Sequence, residues 1–532
     1  MDLGNYLLSL IIWLPIVGGF VVLATKTKEQ SGDAARWVAL VFSVLTLLLC
    51  IPLVASFDSN SSAMQFTEFA KWFPVFGKHA VYYSLGVDGF SVLFIVLTCF
   101  ATLIIVLAAW TSIKVKIRQY MAIFLITCGL TNGVFCANDS ILFYVFWEAL
   151  LIPTCLGIGI WGGKRKAYAA TKYFMYTFFG SVFLLAAILY LQVQVANSPA
   201  SLLVNPDTYS IQNFITWATH SQTMADAVKF TMSAQWLIFG AFFLAFAVKV
   251  PMWPFHSWLP DAHSEAPAGG SVILAALMLK LGAYGFLRFA IPMLPEIAAS
   301  LDYILITMSL IAIVYVGIVA VAQNDVKRLI AYSSISHMGL VTLGMFSIFL
   351  LSKSDPVLGN MHAQMALQGA VFQMIAHAFS SGGLFIGIGF LYLRMNTREI
   401  SDYSGVAKTM PIFAAFYLLF CMANVGLPGT SGFVGEFMIL LAVFQYSPLI
   451  ALIAGTTLVI APIYTLWMYK RVFYGEVTSS KVAELKDLGL MELFVFILLA
   501  VPTLLFGLYP EPILQISAAA SAHIIDPTWV AF

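Results

Sequence analysis

Apolar runs of about twenty residues, separated by short polar breaks, recur along most of this 532-residue chain. A run of that length crosses a bilayer as an α-helix. On that criterion fourteen membrane helices are predicted, near residues 5–25, 34–56, 86–112, 118–137, 140–161, 168–195, 231–258, 266–290, 302–322, 329–351, 363–393, 410–445, 449–470 and 490–509. Two polar inserts interrupt the pattern, Phe57–Ser84 and Asn197–Lys229. Each holds short amphipathic stretches, Ser210–Ala218 among them, that are expected to lie along the membrane surface.

Composition agrees with the pattern. Hydrophobic residues make up 61% of the chain and charged residues only 10%, where a soluble domain carries about 25% charged residues. So little polar surface excludes a soluble protein of this size and leaves a polytopic membrane protein with an all-α fold. A net charge of +1 offers nothing to nucleic acid. The six cysteines are scattered through apolar runs without CxxC spacing and read as small core hydrophobes. Met1–Tyr6 lacks a basic stretch, so Leu7–Leu23 reads as a retained first helix, and the absence of a targeting segment favours a bacterial plasma membrane.

Charge also tests the helix count. Nineteen of the twenty-six Lys and Arg residues fall in loops after odd-numbered helices, against five after even-numbered ones. One missed helix would scramble that alternation. By the positive-inside rule the odd loops face the cytoplasm and both termini lie on the opposite side.

Helices 4–8 and 9–13 read as two five-helix halves, which an odd helix number gives opposite topology, a common transporter plan. The seventh helix is interrupted by Pro251, Pro254 and Pro260, and the twelfth by Gly426, Pro428, Gly429, Gly432 and Gly435. Each is fourth in its half. The expected division is 1–112 (helices 1–3 with the first insert), 113–290, 291–472, and 473–532 (helix 14 and tail).

The remaining two lysines sit inside apolar runs, Lys249 beside the break in the seventh helix and Lys280 in the eighth. A charge at the bilayer centre costs roughly 2.5–3.5 kcal/mol on insertion scales, so such groups mark functional sites by default. Glu148, His337, His377 and Glu436 complete the set of interior ionisable residues. Burial moves acids and bases alike toward their neutral forms, and a nearby opposite charge moves each back. An acid–lysine pair that forms and separates therefore takes up a proton at one moment and passes it on at another. Glu148 and Lys249 are the natural pair, Lys280 and the two histidines the relay, and Glu436 the switch group of the second half. Against this, Gly157–Gly162 matches GxGxxG but ends a membrane helix with no preceding strand. Asp261, His263 and Glu265 lack a metal-ligand spacing. No nucleophile–base constellation stands out.

Four stretches carry a specific resemblance: Phe146-Trp147-Glu148, Lys249–Gly285, Asp325–Gly339 and Met422–Leu440. Over roughly Leu85–Pro510 the chain resembles the antiporter-like subunits of respiratory complex I, the proton-pumping NADH:quinone oxidoreductase, which are related to subunits of multisubunit sodium/proton antiporters. It is most similar to the branch with glutamate, rather than lysine, at the position of Glu436. The resemblance implies that Glu148 modulates Lys249, that Lys280 connects, that His337 and His377 lie on a central polar axis, and that Glu436 faces a neighbouring subunit. It implies that flavin, iron–sulfur clusters, nicotinamide and quinone belong to partner subunits, with none bound here, and that neighbouring membrane subunits pack alongside. Ser352–Ala363 looks longer than the loop usual in the family, which leaves the start of the eleventh helix open. The competing readings are a cation/proton antiporter subunit and a membrane scaffold whose charges only hold helices together.

Overall fold

The computed structural model describes residues 6–25, 33–74, 80–199, 203–220, 230–355 and 357–525. Lys26, Lys28, Lys78 and Lys229, four of the residues behind the charge bias, lie outside the described residues.

Among the described residues, thirteen helices are long and apolar enough to cross a membrane. They are α1 (Leu7–Ala24), α2 (Asp33–Ala55), α3 (Gly89–Ser112), α4 (Ile117–Cys136), α5 (Ser140–Trp161), α6 (Lys166–Ala196), α8 (Met232–Lys249), α10 (Ala268–Met293), α11 (Asp302–Val321), α12 (Val326–Ser354), α13 (Leu358–Met395), α16 (Pro448–Phe473) and α17 (Leu490–Leu508). Two shorter apolar helices, α14 (Pro411–Val425) and α15 (Ser431–Tyr446), make the fourteenth as an interrupted span. Acidic caps start several of them: Asp88 accepts from Ser91 N before α3, and Asp325 accepts from Arg328 N before α12, each satisfying a backbone donor the first turn leaves open. The start of α13 at Leu358 settles the eleventh boundary five residues ahead of expectation.

Both expected interruptions are present. Chain 250–257 breaks the seventh span and is followed by α9 (Trp258–Glu265). Gly426 ends α14 with φ of +79°, a left-handed cap that glycine adopts without strain. The inserts differ from each other. Ile211–His220 forms the short amphipathic helix α7, whereas the first insert departs from an all-α fold. Gln65–Pro74 and Ala80–Val87 pair as an antiparallel hairpin, β1–β2. The stretch is rich in aromatic residues, Phe66, Phe69, Trp72, Tyr82 and Tyr83 among them, which favour strands.

In three spans, α10, α12 and α13, the most apolar eighteen-residue stretch is buried throughout, and these helices carry Lys280, His337 and His377. The 38-residue α13 is central, packing against α12, α14, α15 and α17. Outside the row, the ion pairs respect the predicted sidedness. Lys172–Asp261, Arg328–Asp261, Arg398–Glu265, Arg398–Asp325, Arg394–Glu492 and Lys408–Glu476 all join odd loops. Arg288–Asp88 and Lys353–Asp302 join even ones.

Candidate functional site

The site is built outward from Lys280, which is fully buried in α10. Just ahead of it the helix widens to a π-turn at Leu274–Met278. Such a widening shifts the backbone register and recurs at functional sites. Here the Ala275 carbonyl accepts from Lys280 Nζ at 2.5 Å. Nζ also lies 3.0 Å from His377 Nδ1 on α13. A charged ammonium has only donors, so against it Nδ1 is the acceptor and the ring proton sits on Nε2. The His377 and His337 ring centroids are 5.8 Å apart. His337 Nδ1 in turn lies 3.0 Å from Glu436 Oε1. A row of four ionisable side chains therefore runs Lys280, His377, His337, Glu436, each no more than 2% exposed.

Glu436 is held by more than His337. Gln373 Nε2 donates to the same carboxylate oxygen at 3.1 Å, and Tyr464 OH lies 3.5 Å from His337 Nε2 on the far side of that ring. Two glycines make room for the carboxylate. A β-carbon on Gly435 would stand 2.7 Å from the Gln373 backbone nitrogen, so its absence lets α15 touch α13. A β-carbon on Gly426 would stand 2.6 Å from Glu436 Oε2, so the break in the twelfth span cradles the acid directly.

Lys249 and Glu148 stand apart from this row. Lys249 is 2% exposed and faces the protein interior as the last residue of α8. Its Nζ has no hydrogen-bond partner among the described residues but lies 3.7 Å above the Trp147 ring centroid, a cation–π contact. Glu148 is half-buried, one of its oxygens lacks a partner among the described residues, and it forms no ion pair within 4.0 Å. The pair expected from the sequence is therefore adjacent in place but open.

Sequence reasoning missed Trp147 as a lysine support, Gln373, Tyr464 and the π-turn. Only Trp147 carried a signal, as the neighbour of Glu148. Asp261, His263 and Glu265 are used elsewhere: Asp261 pairs with Lys172 and Arg328, Glu265 with Arg398, and His263 stacks on Phe385 at 4.6 Å.

Interrupted spans facing an enclosed row of lysine, histidine and glutamate place the molecule among helical membrane transport proteins. Sequence comparison narrows this. The chain belongs to the NADH:quinone oxidoreductase/Mrp antiporter transmembrane family, whose family model matches residues 137–461. It is 43% identical to NADH-quinone oxidoreductase subunit M of Rhodobacter capsulatus over 98% of this chain and 96% of that one. Its structure is similar to a chain of respiratory complex I from Thermus thermophilus, with a TM-score of 0.80 and 30% identity, covering 97% of this chain and 99% of the other. A chain of the Mrp complex from Dietzia sp. DQ12-45-1b shares the fold at TM-score 0.79 and 19% identity, covering 100% of this chain and 99% of that chain.

Proposed function

We propose that this chain is a proton-translocating membrane subunit of an NADH:quinone oxidoreductase. Quinone reduction in partner subunits drives it, and the nicotinamide, flavin and iron–sulfur chemistry resides there. The observation that carries this reading is the buried row from Lys280 to Glu436, in which Lys280 bonds His377, His337 bonds Glu436 and the two imidazoles lie 5.8 Å apart. The imidazoles each offer one donor and one acceptor when neutral, so a proton given up by Lys280 passes to His377 and on through His337 toward Glu436. The open Glu148–Lys249 pair is the first half's switch: closing it strengthens the lysine's hold on a proton and opening it releases that proton toward Lys280. Moving one charge against 100 mV costs about 2.3 kcal/mol, a load that the redox partners must supply. Residues 113–290 and 291–472 act as the two inverted halves, the odd loops face the cytoplasm, and neighbouring antiporter-like subunits pack alongside in a bacterial inner membrane.

The test uses the native complex in inverted membrane vesicles carrying Lys280→Ala. A complex that assembles but loses proton pumping coupled to NADH-driven quinone reduction supports the reading. Unchanged pumping in an assembled complex refutes it, and co-purification of the wild-type complex without flavin or iron–sulfur subunits points to a cation/proton antiporter instead.

A further inference from the structure

Gln373 meets the row at its last member, and its amide is only half used. The residue is 2% exposed and lies four positions before His377 on α13, one turn along the same face. Its Nε2 donates to Glu436 Oε1 at 3.1 Å. Its own Oε1 is buried without a hydrogen-bond partner among the described residues. A buried carbonyl oxygen left open is uncommon in a folded protein and calls for a reason.

The carboxylate is as lopsided as the amide. His337 Nδ1, at 3.0 Å, and Gln373 Nε2 both reach Glu436 Oε1, and Oε2 receives no donor among the described residues. Backbone packing keeps the amide and the acid at this range. A β-carbon on Gly435 would stand 2.7 Å from Gln373 N and 2.8 Å from its Cα, so α15 and α13 touch one residue before Glu436. The amide can still turn within that contact. The last torsion of a glutamine is broad and roughly two-fold, and a half-turn puts Oε1 where Nε2 was with no backbone movement.

We propose that Gln373 is the positioning residue that keeps a proton on Glu436, its amide donating to the ionised carboxylate and, after a half-turn, accepting from the protonated one. The inference deepens the proton-translocation reading above and rests on it. When His337 passes its proton on, the Nδ1–H bond breaks and an Oε1–H bond forms. The imidazolium becomes imidazole and the carboxylate becomes the acid. The new hydroxyl then has two acceptors in reach. His337 Nδ1 returns the proton along the row, whereas Gln373 Oε1 holds it on the acid. A glutamine carries donor and acceptor on one planar group, so it serves both charge states of its partner. An apolar side chain in its place would leave the ionised acid short of a donor and the protonated acid facing only the group that supplied it.

Two measurements on the native complex decide it. In redox-induced infrared difference spectra, protonation of Glu436 should bring up a carboxyl C=O band. With it the Gln373 amide C=O band should shift downward, as that oxygen accepts the new O–H. Gln373→Met, close in size and without an amide, should remove the amide feature, and Glu436→Gln should remove both. An amide that only pins α13 to α15 would show no shift when the acid is protonated, and that result overturns the inference. In inverted vesicles Gln373→Met should lower proton pumping coupled to NADH-driven quinone reduction by about tenfold or more, within what a hydrogen bond to a charged group contributes. Should Gln373→Met fail to assemble, the wild-type spectrum, with both bands assigned by Glu436→Gln, still decides. If Gln373→Met pumps like wild type while Lys280→Ala does not, the inference fails and the translocation reading stands. If Lys280→Ala pumps normally, the underlying reading itself fails.

Discussion

Two fully buried carboxylates face each other on the even side, Asp139 and Asp207. Asp139 caps α5 and accepts three backbone N–H groups, Ile141 and Leu142 on Oδ1 at 2.7 and 2.8 Å and Tyr82 of β2 on Oδ2 at 3.1 Å. Asp207 accepts Tyr209 N on Oδ1 at 2.8 Å, and its Oδ2 has no donor among the described residues. Donors stabilise the charged form, so Asp139, which burial pushes up to about 6, ionises first and Asp207 is the one that keeps a proton. Burial, and after it the charge of Asp139, holds the Asp207 carboxyl well above the usual carboxylate range. The unfolded segment loses that proton near pH 4 while the folded one retains it. The folded state then binds more protons, so the stability of this junction falls as pH rises from about 4 until Asp207 itself ionises. The share of the slope that belongs to Asp207 is at most roughly 1.4 kcal/mol per pH unit. Asp207→Asn imitates the protonated carboxyl at every pH. Proteolysis of the second insert in native membranes reports its opening, since cleavage follows the population of the open form when reclosing is fast. Wild type and variant should be cut at similar rates near pH 4, and the wild type progressively faster toward pH 7.5, by up to about tenfold per unit. A rate ratio that does not change with pH, or a variant cut faster at pH 7.5, would refute the shared proton.

Three further outcomes follow from the row and its supports. Trp147→Leu removes the ring under Lys249, a contact of about 2 kcal/mol when desolvated, so coupled pumping measured in vesicles should fall by roughly tenfold or more, and Trp147→Phe should fall less. Gly426→Ala forces a side chain onto a φ of +79° and against Glu436, which should cost about 1–3 kcal/mol in the melting of the complex. In a double-mutant cycle with Glu436→Ala, a coupling of more than about 1 kcal/mol would locate the clash at the carboxylate. His377→Leu removes the partner of Lys280 Nζ while leaving the Ala275 carbonyl. The complex should assemble and lose coupled pumping, and normal proton release from that variant would break the proposed row.

The spans were legible because a bilayer demands length and apolarity and little else, and all fourteen lie within a few residues of the apolar runs, with the seventh ending earlier, at its proline break. The breaks were legible for the same reason, since proline and glycine act locally on backbone geometry. What could not be read was the pairing across helices. Glu148 and Lys249 were matched by charge, but Lys249 Nζ lies over the Trp147 ring instead, a packing outcome with no linear signature. The first insert was read as holding short amphipathic stretches along the membrane surface, and the hairpin depends on pairing with a strand whose partner residues lie 6 to 22 positions away. Gln373 escaped notice because an amide carries no charge to make it costly in an apolar run, although it shares Glu436 with His337.

The distribution of polar contacts explains how the chain tolerates an ionisable row in its centre. The ion pairs outside the row tie loops to loops on one side or the other, and none of them crosses between the two faces. The helices are thus registered at their ends by paired charges, while the interior row is held by one hydrogen bond at each end, Lys280–His377 and His337–Glu436, with the two imidazoles in between 5.8 Å apart. A row held by doubly bonded, fully matched partners would trap the proton at its most stable point. The Lys280–His377 contact joins α10 to α13 inside the membrane, whereas Arg328–Asp261 joins α12 to α9 at the surface. Shifting one interior hydrogen bond therefore changes where the proton rests without releasing the surface ties. Rigidity at the ends and looseness in the middle follow from one arrangement, and a translocating subunit needs both.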